Sequence, residues 1–142
     1  MEDANILLAY QLTGATGNLR AVSEVLADDV ELIRGGRTPV RGKRAVLEYL
    51  AVIYQAFPDL ATEVKRVVAQ GDTVGLETVV TGTQQGMLEV ASDGRGFPPT
   101  GQQINVPTAV FLTVRDGRIV RWHMYNETAI IRRSGGPQDQ DS

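Results

Sequence analysis

Four segments rich in β-branched residues, separated by turns, dominate the second half of the chain and constrain its fold most strongly. They read TEVKRVVAQ, TVGLETVVTGT, INVPTAVFLTV and RIVRWHMYN. β-Branched residues favour strands, and the pairs Gly71-Asp72 and Asp116-Gly117 are turn signals that join antiparallel neighbours. We therefore predict a mostly antiparallel sheet in this half of the chain.

Apolar residues in the first half recur at helical spacing, which predicts three helices ahead of the sheet. The predicted stripes are Ala4, Leu7, Leu8 and Leu12 behind an Asp3 cap, then Leu19, Val22 and Leu26 behind an Asn18 cap, then Val46, Leu50, Ile53 and Phe57. A short strand, VELIR, precedes the third helix, and Pro58 disfavours continuation of that helix. These elements predict an α+β fold, with one domain over residues 1–135 and a flexible tail over 136–142.

The composition is that of an ordinary globular protein and argues against several functional classes. A chain of 142 residues, 42% of them hydrophobic, can bury a core around a small-molecule cavity. The formal charge of -3 argues against nucleic acid as the main partner, and no apolar run approaches the roughly 20 residues of a membrane span. The acidic start, MEDANILLAY, differs from the positive start of a signal peptide and predicts a cytoplasmic protein.

Standard motifs for phosphate loops, dinucleotide cofactors and nucleophile elbows are absent from the sequence. With one histidine and no cysteine, the chain is a poor match to zinc sites and has no thiolate chemistry. Any catalysis must therefore come from carboxylates, amides, hydroxyls and one imidazole inside a pocket.

The segment RGGRTPVRGKR, residues 34–44, is strongly basic. It contains five cationic residues and no acidic one, namely Arg34, Arg37, Arg41, Lys43 and Arg44. One interpretation is a solvated loop that leads into the third helix. The other is a basic rim that attracts an anionic ligand.

Four local motifs, in this order along the chain, resemble a known family. They are AFPDL (56–60), GDTVGLETVVTGTQQG (71–86), PPTGQQI (98–104) and VRDGRIVRWHMYNE (114–127). These motifs are similar to those of the SnoaL-like polyketide cyclases of the nuclear transport factor 2-like superfamily, and the resemblance extends from about residue 5 to 135. It implies a cone-shaped α+β barrel, in which a strongly curved sheet packs on helices around an apolar cavity, often in a homodimer.

The resemblance also implies a range of activities. Relatives in that superfamily include aldol-type polyketide cyclases, polyketide hydroxylases of anthracycline-type pathways, ketosteroid isomerases and limonene-type epoxide hydrolases. Most of them work without a metal or an organic cofactor, so we expect no cofactor here. Fold resemblance constrains the location of a site better than its reaction.

The last strand, IVRWHMYNE, holds the first catalytic candidate. Alternation predicts that Val120, Trp122, Met124 and Asn126 share the cavity face, and that Ile119, Arg121, His123 and Tyr125 share the other face. The resembled cyclases carry an acid/base aspartate four residues after this tryptophan, where Asn126 stands here. A carboxamide does not titrate, but it can hydrogen-bond a substrate oxygen. The alternative is that Asn126 only caps a helix begun by ETAIIRR.

Other polar residues are weaker candidates. Asp59 matches a family motif and is a second catalytic candidate, although a turn-stabilising role also explains it. Tyr54, the third catalytic candidate, and Tyr10 could reach the cavity as hydroxyl donors or simply pack in the core. His123 faces away from Asn126 by parity, and Glu77 stands where the resembled cyclases commonly carry arginine, which suggests a paired surface carboxylate.

The neighbouring strand supplies the rest of the predicted substrate site. A three-residue RDG loop would pair Val114 with Arg118, so that Thr108, Val110 and Leu112 point toward the cavity. A two-residue Asp116-Gly117 turn would instead point Ala109, Phe111 and Thr113 toward it. We favour the first register. The predicted substrate-binding residues are Trp122, Met124, Val110, Leu112, Thr108, Tyr10 and Phe57. The long segment 86–101 is expected to be a loop that forms a lid or rim.

The sequence therefore predicts a tailoring enzyme of aromatic polyketide biosynthesis that acts on a hydrophobic polycyclic substrate. Because the acid/base aspartate is absent, hydroxylation is favoured over aldol cyclisation, with electrons from the substrate or a partner reductase. An epoxide hydrolase or isomerase, which would need a buried carboxylate, and a non-catalytic binding domain are the alternatives.

Overall fold

The computed structural model describes residues 2–89 and 96–126. Its elements are α1 (Glu2–Gly14), α2 (Leu19–Val25), β1 (Leu26–Arg34), β2 (Val40–Arg41), α3 (Lys43–Ala56), β3 (Ala61–Gln70), β4 (Thr73–Thr83), β5 (Leu88–Glu89), β6 (Gly96–Phe97), β7 (Gln103–Arg115) and β8 (Arg118–Tyr125). The predicted tail over 136–142, and the helix expected from residue 127, lie outside the described residues.

Six strands form one sheet in the order β2-β1-β8-β7-β4-β3. The hairpins β3–β4 and β7–β8 are antiparallel, as predicted, and so is the β4–β7 pair. β1 pairs parallel to β8, which the sequence did not predict, with Leu32 opposite Trp122 and Arg34 opposite Met124. The α+β prediction is confirmed, but β2 and β3 end the sheet, so within residues 2–89 and 96–126 the expected barrel is not closed by hydrogen bonds.

The N-terminal helices follow the predicted pattern with two shifts. The Asn18 cap is confirmed, since its Oδ1 accepts a hydrogen bond of 3.1 Å from the backbone N–H of Ala21. Leu26 begins β1 instead of ending α2. In α1, Asp3 lies inside the first turn, and the buried residues are Ala9 and Leu12, whereas Leu7 is 60% exposed. The face that packs on the core contains Leu8, Ala9 and Leu12, so the predicted stripe wrongly included Ala4 and Leu7 and omitted Ala9.

The β7–β8 hairpin reaches the predicted wall by a different turn. Asp116 and Gly117 both have left-handed φ values, 53° and 74°, and they form a two-residue turn that pairs Arg115 with Arg118. The preferred three-residue loop was therefore wrong. A bulge after Ile119 then shifts the pairing by one residue and restores the predicted facing of the strands.

The bulge changes the facing of two β8 residues. Beyond it, Leu112 pairs with Trp122 and Val110 with Met124, so these side chains point inward as expected. Before it, Ile119 is fully buried, although alternation had placed it on the outer face. Val120 has no partner on β7 and occupies the bulge itself.

The inner face of the sheet packs against the helices, mainly through one large core cluster that includes Leu12, Leu50 and Trp122. A smaller cluster joins Ala56 and Phe57 to Val80, Ile104 and Val106. The segment 86–101, predicted as a loop, contains the short antiparallel pair β5–β6 among its described residues. Among the described helices, none is long and apolar enough to cross a membrane.

Candidate active-site cavity

A cavity of about 80 Å³ lies between the inner face of the sheet and the helices α1 and α3. Its wall is almost entirely apolar, apart from threonine and tyrosine hydroxyls and one indole. The lining residues are Leu12, Thr13, Thr16, Tyr49, Leu50, Ile53, Tyr54, Leu60, Thr62, Thr78, Val80, Thr108, Val110, Trp122 and Met124. Such a wall suits a hydrophobic ligand that offers few polar groups.

Helix α3 brings two tyrosines to this wall. Tyr49 and Tyr54 are five positions apart, and with Leu50 and Ile53 they form one face of the helix. Burial raises the pKa of the Tyr54 phenol, and a backbone hydrogen bond with Gly17 opposes this only in part. The hydroxyl of Tyr54 therefore stays protonated at neutral pH and can donate a hydrogen bond.

The threonine hydroxyls on the wall are largely satisfied by one another or by the backbone. Thr78 and Thr108, on the paired strands β4 and β7, share a short hydrogen bond between their hydroxyls. Thr16 donates to the hydroxyl of Thr62 at 3.0 Å. Because these hydroxyls already have hydrogen-bond partners, they are less available to a ligand, and the wall is effectively apolar.

Acidic side chains are missing from the described part of the wall. No aspartate or glutamate of residues 2–89 and 96–126 lines the cavity. Within the same ranges, there is no group of three histidine, cysteine, aspartate or glutamate side chains arranged to hold a metal ion. Proton transfer by a buried carboxylate therefore has no residue to perform it in this part of the structure.

The structure places several of the predicted site residues on the wall and the rest elsewhere. Those on the wall are Tyr54, Thr108, Val110, Trp122 and Met124. Leu112 faces inward but is fully buried in the core, and Phe57 is fully buried in the smaller cluster. Tyr10 is 47% exposed on α1, one position along the helix from the buried Ala9. Whether any of these residues contacts substrate stays a prediction.

Asn126 lies outside the cavity. Its backbone adopts a left-handed φ of 66°, which ends the strand alternation, and its side chain is exposed. The Nδ2 group donates a hydrogen bond of 2.7 Å to the carbonyl oxygen of Pro107. The structure thus uses this amide to tie the end of β8 to β7, and the catalytic role assigned from the sequence stays a prediction.

Asp59 also lies outside the cavity, at the turn before β3. Its carboxylate accepts hydrogen bonds from the backbone N–H of Thr83 at 2.7 Å and from the Thr83 hydroxyl at 2.9 Å. These bonds lower the pKa of Asp59, the backbone bond most strongly. This is the turn-stabilising arrangement that the sequence allowed, and a catalytic role for Asp59 stays a prediction.

Glu77 and His123 lie on the outer face of the sheet. Glu77 lies 3.8 Å from Arg66 on the neighbouring strand, and both side chains are exposed, as expected of a paired surface carboxylate. The His123 ring stacks on Tyr125 with a centroid distance of 4.2 Å. Neither residue lines the cavity.

The basic segment divides into two parts. Arg41, Arg44 and Lys43 form ion pairs with acidic side chains at 2.8 Å, 3.3 Å and 3.6 Å. This favours the interpretation of that part as a solvated surface. Arg34 differs, because it ends β1 with only 6% of its surface exposed.

Two residues near the site were missed although the sequence carried a signal for them. Tyr49 follows Val46 by three positions and precedes Ile53 by four, so a wider apolar stripe on α3 would have included it. Arg34 ended the predicted strand VELIR and was also counted with the basic segment, but its burial was not predicted, although it alternates with the buried Val30 and Leu32 along β1.

Comparisons with known proteins agree with this architecture. A family profile for the SnoaL-like domain matches residues 9–122, and a search of curated proteins finds no match. The structure is similar to that of a protein from Jannaschia sp. CCS1 assigned as a SnoaL-like polyketide cyclase, with 25% identity over 96% of this chain and 95% of that chain, and a TM-score of 0.82.

Two Streptomyces proteins give further matches. IdmH from Streptomyces antibioticus, assigned as a polyketide cyclase, is 26% identical over 88% of this chain and 93% of its own, with a TM-score of 0.69. AclR from Streptomyces galilaeus, assigned as a hydroxylase, shares the fold at 22% identity over 98% and 86% of the two chains, with a TM-score of 0.75. Since the family profile matches most of this chain, residues 9–122, the chain belongs to the SnoaL-like domain family.

Proposed function

We propose that the protein is a cytoplasmic tailoring enzyme of aromatic, anthracycline-type polyketide antibiotic biosynthesis that hydroxylates a hydrophobic polycyclic intermediate. The observation that carries this proposal is the cavity wall, which is apolar, offers the Tyr54 hydroxyl and includes no carboxylate among the described residues. Membership of the SnoaL-like family, whose solved relatives include proteins assigned as polyketide cyclases and a hydroxylase, supports the substrate class.

The size of the cavity sets a condition on substrate entry. Its volume of about 80 Å³ is well below the roughly 300–1,000 Å³ of typical small-molecule pockets. Lining side chains must therefore move apart before a polycyclic substrate enters. Met124 suits this role, because a methionine side chain is unbranched and adapts to irregular space.

The chemistry of hydroxylation requires electrons from outside the described residues. One oxygen atom of O2 enters the substrate C–H bond, and the other is reduced to water with two electrons and two protons. A partner reductase or an electron-rich phenolic substrate would supply the electrons. Within this scheme Tyr54 donates a hydrogen bond to a substrate oxygen and stabilises negative charge that develops on it.

The proposed role of Tyr54 predicts a large loss of activity in Tyr54→Phe. Removing one donor to a developing oxyanion costs roughly 100-fold in kcat. The assay follows turnover of aromatic polyketide intermediates by mass spectrometry, under isotopically labelled O2 and with a reductase system present. Incorporation of one labelled oxygen atom identifies hydroxylation.

Tyr125→Phe is the matched control, because it removes the same hydroxyl from a residue on the outer face of the sheet that does not line the cavity. We expect that variant to keep wild-type turnover. Equal turnover of Tyr54→Phe and wild type would show that the Tyr54 hydroxyl takes no part in the reaction.

Aldol-type cyclisation is the second candidate function. It is favoured by the two relatives that share 25% and 26% identity, both of which are assigned as polyketide cyclases. In the same assay a cyclase would convert the substrate without incorporating oxygen from O2.

An epoxide hydrolase or isomerase is less well supported, since Glu77 and Asp59 both lie outside the cavity. Absence of turnover with every intermediate would favour a binding domain.

We further propose that the protein forms a homodimer through the outer face of the sheet. Phe111 and Tyr125 are 46% and 45% exposed there, and their rings meet edge to face at 6.0 Å. Phe111→Glu would place a charge in this interface, so we expect dimer affinity to fall roughly 100-fold or more in sedimentation velocity. Leu7→Glu, at an exposed position on α1, is the control. A wild-type monomer, or an unchanged Phe111→Glu dimer, would refute this interface.

A further inference from the structure

The end of strand β1 buries a cation beside the cavity. Val30, Leu32 and Arg34 alternate on the inner face of β1, and the exposed fraction of Arg34 is 6%. Its Nη2 group donates a hydrogen bond of 2.9 Å to the carbonyl oxygen of Thr38. The guanidinium carbon lies 4.5 Å from the centre of the Tyr49 ring, which lines the cavity.

These contacts leave Arg34 incompletely satisfied. Its Nε is buried without a hydrogen-bond partner, and no carboxylate of residues 2–89 and 96–126 forms an ion pair with it. A carbonyl oxygen and an aromatic ring stabilise a cation, but neither carries a compensating charge. A buried charge without a counter-charge is costly, so an anion bound beside Arg34 would stabilise the structure.

A second unpartnered donor lies on the adjacent strand. The indole Nε1 of Trp122 is buried and has no hydrogen-bond partner in the described structure. β1 and β8 run parallel, with Leu32 opposite Trp122 and Arg34 opposite Met124, so Arg34 and Trp122 occupy neighbouring positions on the same inner face. Both Trp122 and Met124 line the cavity. Two buried N–H donors without acceptors therefore lie on adjacent strands of this face, and one of them, that of Trp122, belongs to the cavity wall.

We infer that the cavity binds ligands that carry an anionic oxygen group, a carboxylate or an enolate, which accepts hydrogen bonds from Arg34 Nε and Trp122 Nε1. The inference deepens the proposed function, on which it rests for the placement of the substrate in this cavity. Because the Tyr49 ring covers the guanidinium, the anionic group reaches Arg34 by displacing that ring. The substrate class is then an acidic polyketide, oriented with its anionic end toward β1.

Benzoate and benzamide are suitable probes, because they have nearly the same shape and differ in charge. The chain has a single tryptophan, so intrinsic fluorescence reports on the cavity wall directly, and calorimetry gives an independent dissociation constant. We expect the wild-type protein to bind benzoate roughly tenfold or more tightly than benzamide, as charge-assisted hydrogen bonds imply.

Arg34→Met keeps an unbranched, largely apolar side chain, somewhat shorter than that of arginine, and removes the charge. We expect this variant to lose the preference for benzoate while its affinity for benzamide is unchanged. Arg41→Met is the matched control, since it makes the same change in net charge at an exposed position. Arg34→Lys, which keeps the charge but not the Nε donor, should retain part of the preference. Thermal unfolding checks that each variant is folded.

Several outcomes would overturn the inference. They are equal affinity of the wild type for the two probes, binding of neither probe, and an unchanged preference in folded Arg34→Met. If Arg34→Met does not fold, the wild-type comparison of the two probes and the Arg34→Lys ratio decide the question. These measurements involve no turnover, so failure of the hydroxylation assay with a retained benzoate preference would reject the reaction and leave the anion site standing.

Discussion

Replacing Phe57 with alanine should lower the free energy of unfolding by about 3–5 kcal/mol, the usual cost of removing a large buried aromatic side chain. Phe57 is fully buried at the end of α3, within the smaller core cluster. Its neighbours come from β4 and β7, so the cavity left by the substitution cannot be filled by movement of one loop. Urea denaturation, monitored by circular dichroism, measures the change in the free energy of unfolding.

Two variants serve as controls for Phe57→Ala. Phe57→Leu keeps most of the buried volume and should cost less than half as much. Leu7→Ala truncates a side chain that is 60% exposed, and we expect its effect to stay within about 0.5 kcal/mol. If Phe57→Ala instead weakened ligand binding and left stability unchanged, Phe57 would be a substrate contact, as the sequence predicted, and its assignment to the core would be wrong.

Substituting Gly86 with alanine should cost about 3 kcal/mol of stability, because there is no room for a methyl group. A methyl carbon at this position would lie against the backbone of α3, 3.0 Å from the carbonyl carbon of Gln55 and 3.2 Å from the Cα of Ala56. The backbone N–H groups of Gln85 and Gly86 both donate to the carbonyl oxygen of Ala56, at 2.8 Å and 3.2 Å. Relief of the clash would break these bonds.

Gly36→Ala is the matched control for Gly86→Ala. Gly36 has open space around it and does not adopt a left-handed backbone conformation. The same chemical change should therefore be nearly neutral there. Equal losses of stability for the two variants in urea denaturation would mean that the close approach of residues 85–86 to α3 does not determine the effect.

The order of helices and strands could be predicted because it depends on local signals. The Asn18 cap and the hairpin turn at Asp116-Gly117 both depend on residues within a few positions, and both are present, although the favoured three-residue form of that turn was wrong. The bulge after Ile119 could not be predicted, since it reconciles a two-residue turn with the inward facing of the residues beyond it. Packing of the whole sheet determines which residue of β8 forms the bulge.

The cavity wall was predicted less completely than the strands. Alternation identified Trp122 and Met124, but it could not separate the wall from the adjoining core, where Leu112 lies. That distinction depends on which side chains of α1 and α3 stand opposite, and these contacts join distant parts of the sequence. Asn126 shows a further limit, because its left-handed backbone ends the alternation on which its assignment depended.

The position of β8 in the sheet has a consequence for how the chain folds during synthesis. β8 lies between β1 and β7, so the strand made near the start of the chain has its central partner near the end. Until β8 emerges from the ribosome, β1 has only the two-residue strand β2 beside it, and the apolar residues of its inner face stay uncovered. Contacts between such distant segments form slowly. The cavity, whose wall includes Trp122 and Met124, is therefore completed only in the last stage of folding.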